Sequence, residues 1–433
     1  MLLYSALLLL VLVVGAPYWI VRMAVSGRYR AGLSGRLGVV PEGLREAVRG
    51  REVVWLHAVS VGEVMAAVEV VRGLRAERPE WVVAVSTTTK TGQELAKRRM
   101  EGMPVFYLPL DFGWVVRRYL HVLRPRMLVL MESELWPNLL RECGRAGVAV
   151  AVVNARVSDR SYPRYLRLRR LWLPLLRRVR VFLAQGEETA ERLRAIGVEA
   201  ERVRVVGNLK YDVRSAGESA MVERLRARMP EGAKVVVCGS TLEGEEAVLL
   251  GAWSEVVREV PNAVMVLAPR HPERFGRVVE MVRAAGMKVW RASELTDADT
   301  AGFGAGDVVV LDTIGDLAGV YSMGAVAFVG GSLVTAGGHN PLEPAQFGVP
   351  VVIGSSFNNF REVVEMMRAM DGVHVVSADR VSAELRGLLQ DEAAAGLLGE
   401  RGRAVFALKA GATKRTVEVL LQVAGETGAG RPR

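Results

Sequence analysis

Carboxylates follow two of the predicted strands, in positions where an enzyme would use them to move protons. Glu63 ends the segment VSVGE (59–63) at the start of a predicted helix, and Glu132 opens ESELWPN (132–138) behind an apolar run. A helix N-terminus keeps Glu63 ionised, as a general base must be, and also weakens its basicity. Ser60 and Glu63 have the Ser-x-x-Glu spacing of a capping box, so a purely structural role remains open.

A glycine-rich loop in the second half of the chain is typical of a ligand-binding turn. The segment VGGSLVTAGGHNPLEP (329–344) follows one apolar run and leads into another. Glycine allows positive φ and close approach of a ligand, so this loop is expected to present N–H groups and a carboxylate. An ordinary strand-to-helix turn is the alternative. The candidate residues are Gly337, Gly338, His339, Asn340 and Glu343.

Three further loops of the second half favour an anionic ligand. Ser240 precedes the acidic segment LEGEE, which we interpret as a helix start whose N–H groups bind an anion. The segment APRHPER supplies Arg270 and Arg274, which suit a phosphate, and DTIGD contains Gly315. Surface charges on a turn are the competing explanation. The chain contains neither GxxxxGK[ST] nor GxGxxG, which excludes a P-loop and a dinucleotide fingerprint.

No metal site and no cofactor are expected from the ligating residues. The five histidines lack HExxH and HxxxH spacing, and the two cysteines, Cys143 and Cys238, lie far apart in apolar segments. The same spacing argues against a disulfide framework.

The elements that carry these loops alternate between strand and helix. Continuous apolar, β-branched runs fit parallel strands buried on both faces, so we predict an α/β fold of two Rossmann-like, doubly wound domains facing a cleft. The first series of strands is 53–59, 82–86, 105–108, 127–131, 148–153, 181–184 and 203–206. The second is 234–238, 263–267, 287–290, 308–311, 325–329, 350–353 and 373–376.

These series give the predicted domain boundaries. Residues 1–21 form a membrane anchor and residues 22–210 an N-terminal, acceptor-binding domain. A polar linker (211–232) leads to a C-terminal, donor-binding domain (233–410), and residues 411–433 form a C-terminal helix and tail. We predict a last helix over 399–424 and expect the tail GETGAGRPR to be disordered.

The N-terminus is predicted to hold the protein at a membrane. Residues 2–21 carry no charge and are about long enough to cross the hydrocarbon core, with no small-residue cleavage site behind them. Arginines then follow with no acid before Glu42, which indicates that the catalytic domains lie on the cytoplasmic side. A single span and a helix lying in the headgroup region both remain open.

A basic segment supports the same location. Residues 156–180 contain nine arginines and one aspartate, interleaved with aromatic residues and leucines, and the whole chain has a net charge of +10. This composition suits an anionic membrane surface. Nucleic-acid binding is the competing explanation, but no binding module is recognisable, so no nucleic-acid partner is expected. A solvated helix face is a further alternative.

Seven motifs together resemble one family. The chain resembles, over nearly its whole length, the 3-deoxy-D-manno-octulosonic acid (Kdo) transferases of lipopolysaccharide synthesis, in which such motifs stand in this order. The resemblance implies the GT-B fold of two Rossmann-like domains. The motifs are SVGE (60–63), STTTKTG (86–92), ESELWPN (132–138), NARVSDRSY (154–162), GNLKYD (207–212), PRHPER (269–274) and GGHNPLEP (337–344).

The resemblance implies the reaction and its catalytic groups. The donor would be CMP-Kdo and the acceptor the phosphorylated, tetraacylated lipid A precursor at the inner membrane. Transfer would invert the anomeric centre without a metal. By motif, Glu63 would be the catalytic base and Glu132 the second important acid. On the acceptor and membrane side the resemblance places Ser60, Gly62, Arg156, Arg164 and Arg170.

The remaining candidates would bind the donor. We expect Arg270 and the N–H groups near Ser240 and Gly337–Asn340 to stabilise the leaving phosphate. Glu343 would hydrogen-bond the ribose hydroxyls, with Gly315 on the same donor side. Two alternatives remain open: an enzyme acting on another nucleotide sugar, such as a UDP-sugar epimerase, and a membrane-anchored nucleotide-binding protein without activity.

Overall fold

Parallel strands dominate the protein. A computed structural model describes residues 2–26, 32–132, 134–212, 220–296 and 302–428, and in these residues fourteen strands form two sheets of seven. All fourteen predicted strands are confirmed, with ends shifted by at most a few residues. They are β1 (Glu52–His57), β2 (Trp81–Thr87), β3 (Val105–Tyr107), β4 (Met127–Met131), β5 (Ala149–Ala155), β6 (Val181–Ala184), β7 (Val203–Val205), β8 (Lys234–Thr241), β9 (Ala263–Pro269), β10 (Val289–Arg291), β11 (Val308–Val310), β12 (Val326–Val329), β13 (Val351–Gly354) and β14 (His374–Val376).

Helices connect the strands and cover both faces of each sheet. They are α1 (Leu2–Ser26), α2 (Leu33–Arg36), α3 (Glu42–Val48), α4 (Val61–Glu77), α5 (Lys90–Arg99), α6 (Gly113–Leu123), α7 (Pro137–Arg145), α8 (Tyr162–Arg167), α9 (Arg169–Leu176), α10 (Glu187–Ile196), α11 (Ala220–Arg226), α12 (Glu245–Glu259), α13 (Phe275–Ala284), α14 (Leu317–Val320), α15 (Leu342–Ala345), α16 (Arg361–Ala369), α17 (Val381–Gln390), α18 (Glu392–Lys409) and α19 (Ala412–Gly428).

The first sheet has the strand order β3-β2-β1-β4-β5-β6-β7, with every neighbouring pair parallel. Alternate residues of each strand enter two separate hydrophobic cores, one on each face. Trp55 points into one core, where it packs near the stacked rings of Phe106 and Tyr119, whose centroids lie 5.5 Å apart. Burial on both faces explains why these strands appear in the sequence as continuous apolar runs.

The second sheet has the order β10-β11-β9-β8-β12-β13-β14 and is also parallel throughout. Its two faces are covered by two further cores, one of them built around Trp253 and Phe328. Both residues are fully buried. The predicted α/β class with two doubly wound domains is therefore confirmed.

The chain divides into two compact units: residues 1–212 with 411–433, and residues 213–410. Where the chain re-enters the first unit, the carboxylate of Asp212 holds it in place. This carboxylate accepts hydrogen bonds from the N–H of Gly411 at 2.6 Å, from that of Ala412 at 3.1 Å and from that of Thr413. The helix α19 then packs beside α4 in one core of the first sheet, where Leu420 and Ala424 are fully buried.

The C-terminal region differs from the expected single helix over 399–424. Two helices, α18 and α19, meet at Ala410 and Gly411, because Gly411 adopts a positive φ of 84° and ends the helical path. Within the expected linker (211–232), residues 213–219 lie outside the described residues. Of the tail expected to be disordered, residues 429–433 also lie outside them.

The N-terminal helix α1 contains one stretch, Tyr4–Met23, that is long and apolar enough to cross a membrane. Its 20 residues have a mean hydropathy of 2.1, and none of its side chains is fully buried. Length and composition thus agree with the predicted anchor.

Asp212 is expected to contribute measurably to stability, since it satisfies three N–H groups in the first turn of α19. Replacing it by alanine, Asp212→Ala, should lower the free energy of unfolding by about 1–2 kcal/mol, as for other lost helix caps. Urea denaturation of the purified protein measures this. The control Asp212→Asn keeps an acceptor oxygen and should lose less than half as much. Equal losses in the two variants would contradict a capping role.

Candidate active site

Each sheet reverses its strand order once, and the candidate loops lie at these two places. In the first sheet β1 lies between β2 and β4, so the segments that follow β1 and β4 diverge at their carboxyl ends. Glu63 follows β1 and Glu132 follows β4. In the second sheet β8 lies between β9 and β12. Ser240 is the next-to-last residue of β8, and the glycine-rich loop follows β12. Ligands of open parallel sheets bind at such reversals.

Glu63 sits in the first turn of α4 and does form a capping arrangement. Ser60 is the N-cap and accepts from the Glu63 N–H at 3.4 Å, while the Ser60 hydroxyl donates to Glu63 Oε1 at 3.1 Å. The other carboxylate oxygen accepts from the Val59 N–H at 2.8 Å. These bonds hold the carboxylate in one orientation, so the structural role left open by the sequence is real and is compatible with a chemical one.

Burial raises the pKa of Glu63, and the nearby carboxylates of Glu132 and Glu134 raise it further. The hydrogen bonds from Val59 and Ser60 act in the opposite direction but do not outweigh burial. Our expectation that the helix N-terminus weakens the basicity of Glu63 is therefore wrong, because only 8% of the residue is exposed. A buried carboxylate surrounded by other acids is a stronger base.

Glu132 lies immediately after β4 in a left-handed conformation, with φ at 57°. Its side chain is 28% exposed and meets Lys210, whose Nζ is 3.6 Å from Oε1. Nearby, Glu134 accepts a hydrogen bond from the Trp136 indole at 3.0 Å, and burial raises the pKa of Glu134. The structure thus gathers three carboxylates and one lysine at the strand reversal of the first sheet.

The residues expected on the acceptor side belong to three helices and to the segment that follows β5. Arg156 lines a small apolar cavity of about 20 Å³ together with Glu132 and Tyr165. Arg164 and Arg170 are exposed on α8 and α9. Ser60 and Gly62 belong to the N-terminal turn of α4.

The aromatic residues of the basic segment point inward rather than toward solvent. Tyr165 and Trp172 pack edge to face, 5.1 Å between ring centroids, against the core of the first sheet. The apolar groups left outside beside the arginines are Leu168 and Leu171, the latter 70% exposed. The exposed surface of α8 and α9 is thus basic and aliphatic.

In the second unit a buried carboxylate lies at the helix start near Ser240, where we expected free N–H groups to bind an anion. Glu245 opens α12 and is fully buried. It accepts from the N–H groups of Leu242 at 2.8 Å, Gly331 at 2.7 Å, Ser332 at 2.9 Å and Leu333 at 2.9 Å. These four N–H groups are therefore not available to an anion. Only the Leu242 N–H belongs to LEGEE, so an anion site at this helix start stays a prediction.

Arg274, the more buried of the two arginines in the PRHPER motif, forms an ion pair with a carboxylate of the same unit. Arg274 donates from both terminal nitrogens to Glu246, at 2.7 and 3.0 Å, and Glu246 is fully buried. Thr241 donates to the same carboxylate at 3.0 Å. Arg270, in contrast, is exposed, and its backbone N–H donates to the Thr241 carbonyl at 2.9 Å. Of the two arginines, Arg270 is the one placed to meet a phosphate.

The glycine-rich loop is folded on itself. The N–H of Gly337 donates to the Ser356 hydroxyl at 3.0 Å, that of Gly338 to the Gly331 carbonyl at 2.8 Å, and that of His339 to the Gly330 carbonyl at 3.1 Å. Our expectation that these N–H groups face a ligand is wrong for all three residues. What the loop offers instead is side chains, including that of Asn340, which is half-buried and accepts from the Leu342 N–H.

Gly338 must be glycine for geometric reasons. Its φ is 73°, and a Cβ atom there would lie 2.9 Å from the carbonyl oxygen of Ser356. The loop could not keep its path with a side chain at this position. Gly315, also expected on the donor side, has φ at 102° on an exposed turn, where a Cβ would meet nothing within 4 Å.

Three ionisable side chains of the second unit influence one another. Burial raises the pKa of Glu343 to about 7, and the charge of Arg270 acts against this rise. Burial lowers the pKa of His339 to about 4, assisted by Arg270 and His271. The imidazole of His339 is therefore neutral at physiological pH, and its Nε2 has no hydrogen-bond partner among the described residues. A cation, a titratable acid and a neutral imidazole together suit a nucleotide.

Several site residues escaped the sequence argument. Lys210 lies in the motif GNLKYD, but nothing in that segment indicates that its ammonium group meets Glu132. The acidic pair Glu245 and Glu246 is visible in the sequence, and only its burial reveals that it organises the loops. Among the described residues, no group of three or more His, Cys, Asp or Glu side chains has an arrangement that could hold a metal ion.

Comparison with known proteins identifies related sequences. Residues 31–213 match the family described as 3-Deoxy-D-manno-octulosonic-acid transferase (kdotransferase). The chain is 33% identical to the 3-deoxy-D-manno-octulosonic acid transferase of Haemophilus influenzae, over 91% of this chain and 92% of that protein. It is 34% identical to the enzyme of the same name from Bordetella pertussis, over 85% and 86% of the two chains.

A comparison of folds gives a consistent result. The UDP-GlcNAc 2-epimerase from Neisseria meningitidis, solved with UDP-GlcNAc bound, superposes with a TM-score of 0.55 over 86% of this chain and 100% of that chain. Its sequence is 13% identical, so this likeness concerns the fold alone.

The raised pKa of Glu343 predicts a pH-dependent stability. Between its ordinary value of 4.5 and about 7, the folded protein holds this proton more tightly than the unfolded chain, so stability falls as pH rises through that window. The free energy of unfolding of Glu343→Gln minus that of the native protein should therefore be larger at pH 8 than at pH 5. Urea denaturation at the two pH values measures this difference. The exposed control Glu365→Gln should show no such difference. A pH-independent offset for Glu343→Gln would contradict the raised pKa.

Proposed function

Because the chain belongs to the family of 3-deoxy-D-manno-octulosonic acid (Kdo) transferases, glycosyltransferases of lipopolysaccharide biosynthesis with a GT-B-type fold, we propose that it moves Kdo from CMP-Kdo to a phosphorylated, tetraacylated lipid A precursor. The observation that carries the mechanistic part is the buried, oriented carboxylate of Glu63 among the acids of the first unit. Each unit supplies the groups for one half of the reaction.

In the first unit, Glu63 is the general base. Its carboxylate takes the proton from the acceptor hydroxyl while that oxygen forms the new bond to the anomeric carbon of Kdo. The bond from that carbon to the phosphate breaks on the opposite face, and CMP leaves with the electron pair. The anomeric centre is therefore inverted. Burial strengthens Glu63 as a base, and the bonds from Val59 and Ser60 keep it in place.

Glu132 supports this base in two ways. Its negative charge raises the pKa of Glu63, and its conformation directs the side chain to Lys210. The ammonium group of Lys210 pairs with Glu132, 3.6 Å from its Oε1, and fixes this side chain on the same side of the sheet as Glu63. The acceptor's phosphates then pair with exposed arginines, for which we propose Arg156, Arg164 and Arg170.

In the second unit, the donor nucleotide binds at the strand reversal beyond β8 and β12. Arg270 is exposed and carries the positive charge that the leaving phosphate requires. Glu343 accepts hydrogen bonds from the ribose hydroxyls, and Asn340 and the neutral imidazole of His339 contribute polar contacts beside it. Ser240, Gly315, Gly337 and Gly338 shape the surrounding loops rather than donate to the phosphate.

The location follows from the N-terminal sequence. We place the protein at the inner membrane with its catalytic units on the cytoplasmic side, because positive residues follow the apolar stretch and no acid precedes Glu42. The exposed arginines and leucines of α8 and α9 suit the same anionic surface. A UDP-sugar epimerase, the alternative suggested by the sequence, has support only from a fold likeness at 13% identity.

One assay tests the function. Purified protein in detergent with EDTA, CMP-Kdo and the tetraacylated precursor should release CMP and form a lipid heavier by one or more Kdo residues, scored by mass spectrometry. Glu63→Gln should lower the rate by about 10²–10⁴-fold, because the base is lost while its capping bonds are largely kept. The control Glu77→Gln, exposed on the same helix, should leave the rate unchanged. Absence of CMP release by the native protein would refute the proposal.

The acid limb of the pH–rate profile tests the coupling between the carboxylates. Transfer needs Glu63 ionised, so kcat/KM should fall as pH drops through its raised pKa. Glu132→Gln removes a neighbouring negative charge, which lowers the pKa of Glu63 and moves this limb to lower pH, whatever happens to the maximal rate. An unmoved or upward-shifted limb would show that the two carboxylates do not interact.

A further inference from the structure

The apolar helix α1 is covered along one face and open along the other. Half-buried residues recur at intervals of three or four, which places them on one side of a helix. The opposite side is exposed, with Leu10 at 57% and Val14 at 71%. The half-buried residues include Tyr4, Leu8, Leu12, Gly15, Trp19 and Met23.

The first turn of α1 is hydrogen-bonded to the folded unit. The Tyr4 hydroxyl bonds to the carboxylate of Asp111, and Asn138 Nδ2 donates to the Ser5 hydroxyl at 3.0 Å. Asp111 and Asn138 are 4% and 0% exposed, and the N–H of Asn138 donates to Asp111 at 2.9 Å. The start of α1 therefore contacts polar groups of the first unit that cannot leave its interior.

The chain after α1 returns to the same place. The carbonyl of Arg36 accepts from the N–H of Leu110 at 2.9 Å, one residue before Asp111. A helix of 25 residues is about 37 Å long, more than the hydrocarbon core of roughly 30 Å. If α1 crossed the membrane, Tyr4 would lie a bilayer away from the side that holds Arg36 and Asp111. The contacts of Tyr4 and Ser5 exclude that arrangement.

Pro17 fits an interfacial position, although spanning helices also tolerate proline. It lies inside α1 and has no N–H, so the carbonyl of Val13 lacks its helical donor. Val13 is near the middle of the stretch Tyr4–Met23. In the centre of a bilayer an unpaired carbonyl costs several kcal/mol, whereas headgroups or water satisfy it at the interface.

We propose that α1 does not cross the membrane but lies in its interface, held to the first unit by Tyr4 and Ser5, with its open apolar side in the lipid. The N-terminus then stays on the same side as the catalytic units. Trp114 supports this orientation: it is 48% exposed at the start of α6, three residues from Asp111, with Arg118 5.1 Å from its ring. An aromatic ring with a cation suits the headgroup region. The identity of the membrane rests on the proposed function.

Labelling of the N-terminus decides the topology. The full chain is expressed in a Gram-negative host with a cysteine placed ahead of Met1, and spheroplasts are treated with a membrane-impermeant maleimide. The native Cys143 and Cys238 are buried, which limits background. We expect label only after permeabilisation, as for the control Glu46→Cys on the exposed surface of the first unit. Labelling of the N-terminal cysteine in intact spheroplasts, with the control unlabelled, overturns the proposal.

A disulfide trap tests the docking contact itself. Ser5→Cys combined with Asn138→Cys should form an internal disulfide on mild oxidation in native membranes, seen as a mobility shift that reductant reverses. Leu10→Cys with Asn138→Cys, on the open side of α1, should not. Equal trapping in the two pairs, or none in the first, contradicts docking. Kdo transfer, assayed on the same membranes, reports on the proposed function separately from either topology result.

Discussion

In a parallel sheet all strands end at the same edge, and where the strand order reverses, the chain segments that follow diverge to opposite faces. Both sheets have one such reversal, between β1 and β4 and between β8 and β12. The fully buried strands leave no freedom in this arrangement, because a change of register or order would expose their apolar faces. The positions of Glu63, Glu132, Ser240 and the glycine-rich loop all follow from this constraint.

A buried carboxylate lies near the reversal of strand order in each sheet and affects which groups are available to a ligand there. In the second unit Glu245 accepts hydrogen bonds from the N–H groups of three successive loop residues, which fixes the shape of the loop and makes these three N–H groups unavailable to an anion. Positive charge there comes from Arg270. In the first unit no such N–H ladder satisfies Glu63, and burial among acids raises its pKa. The same residue type thus holds loops together in one unit and, in the mechanism that we propose, acts as a base in the other.

The positions of the strands can be predicted from the sequence, because short, continuous β-branched runs are typical of strands buried on both faces. Prediction from the sequence fails where the residues of a local motif bond to residues that are far away in the chain. The N–H groups of Gly331 and Leu333 are taken by a residue 86 to 88 positions earlier, and Lys210 reaches an acid on another strand's loop. The basicity of Glu63 was misjudged for a related reason: helix position is visible in the sequence, but desolvation is not.

The hydrogen bond from the Gly411 N–H to the Asp212 carboxylate brings together two points of the chain that are far apart in sequence. The chain leaves the first unit and re-enters it at residues that touch, so the second unit is an insertion whose two ends meet. Joining residue 212 to residue 411 would close the first unit into one continuous chain without a long bridge. Such an architecture allows the second unit to be exchanged as one piece while the first unit keeps its own core and its C-terminal helix.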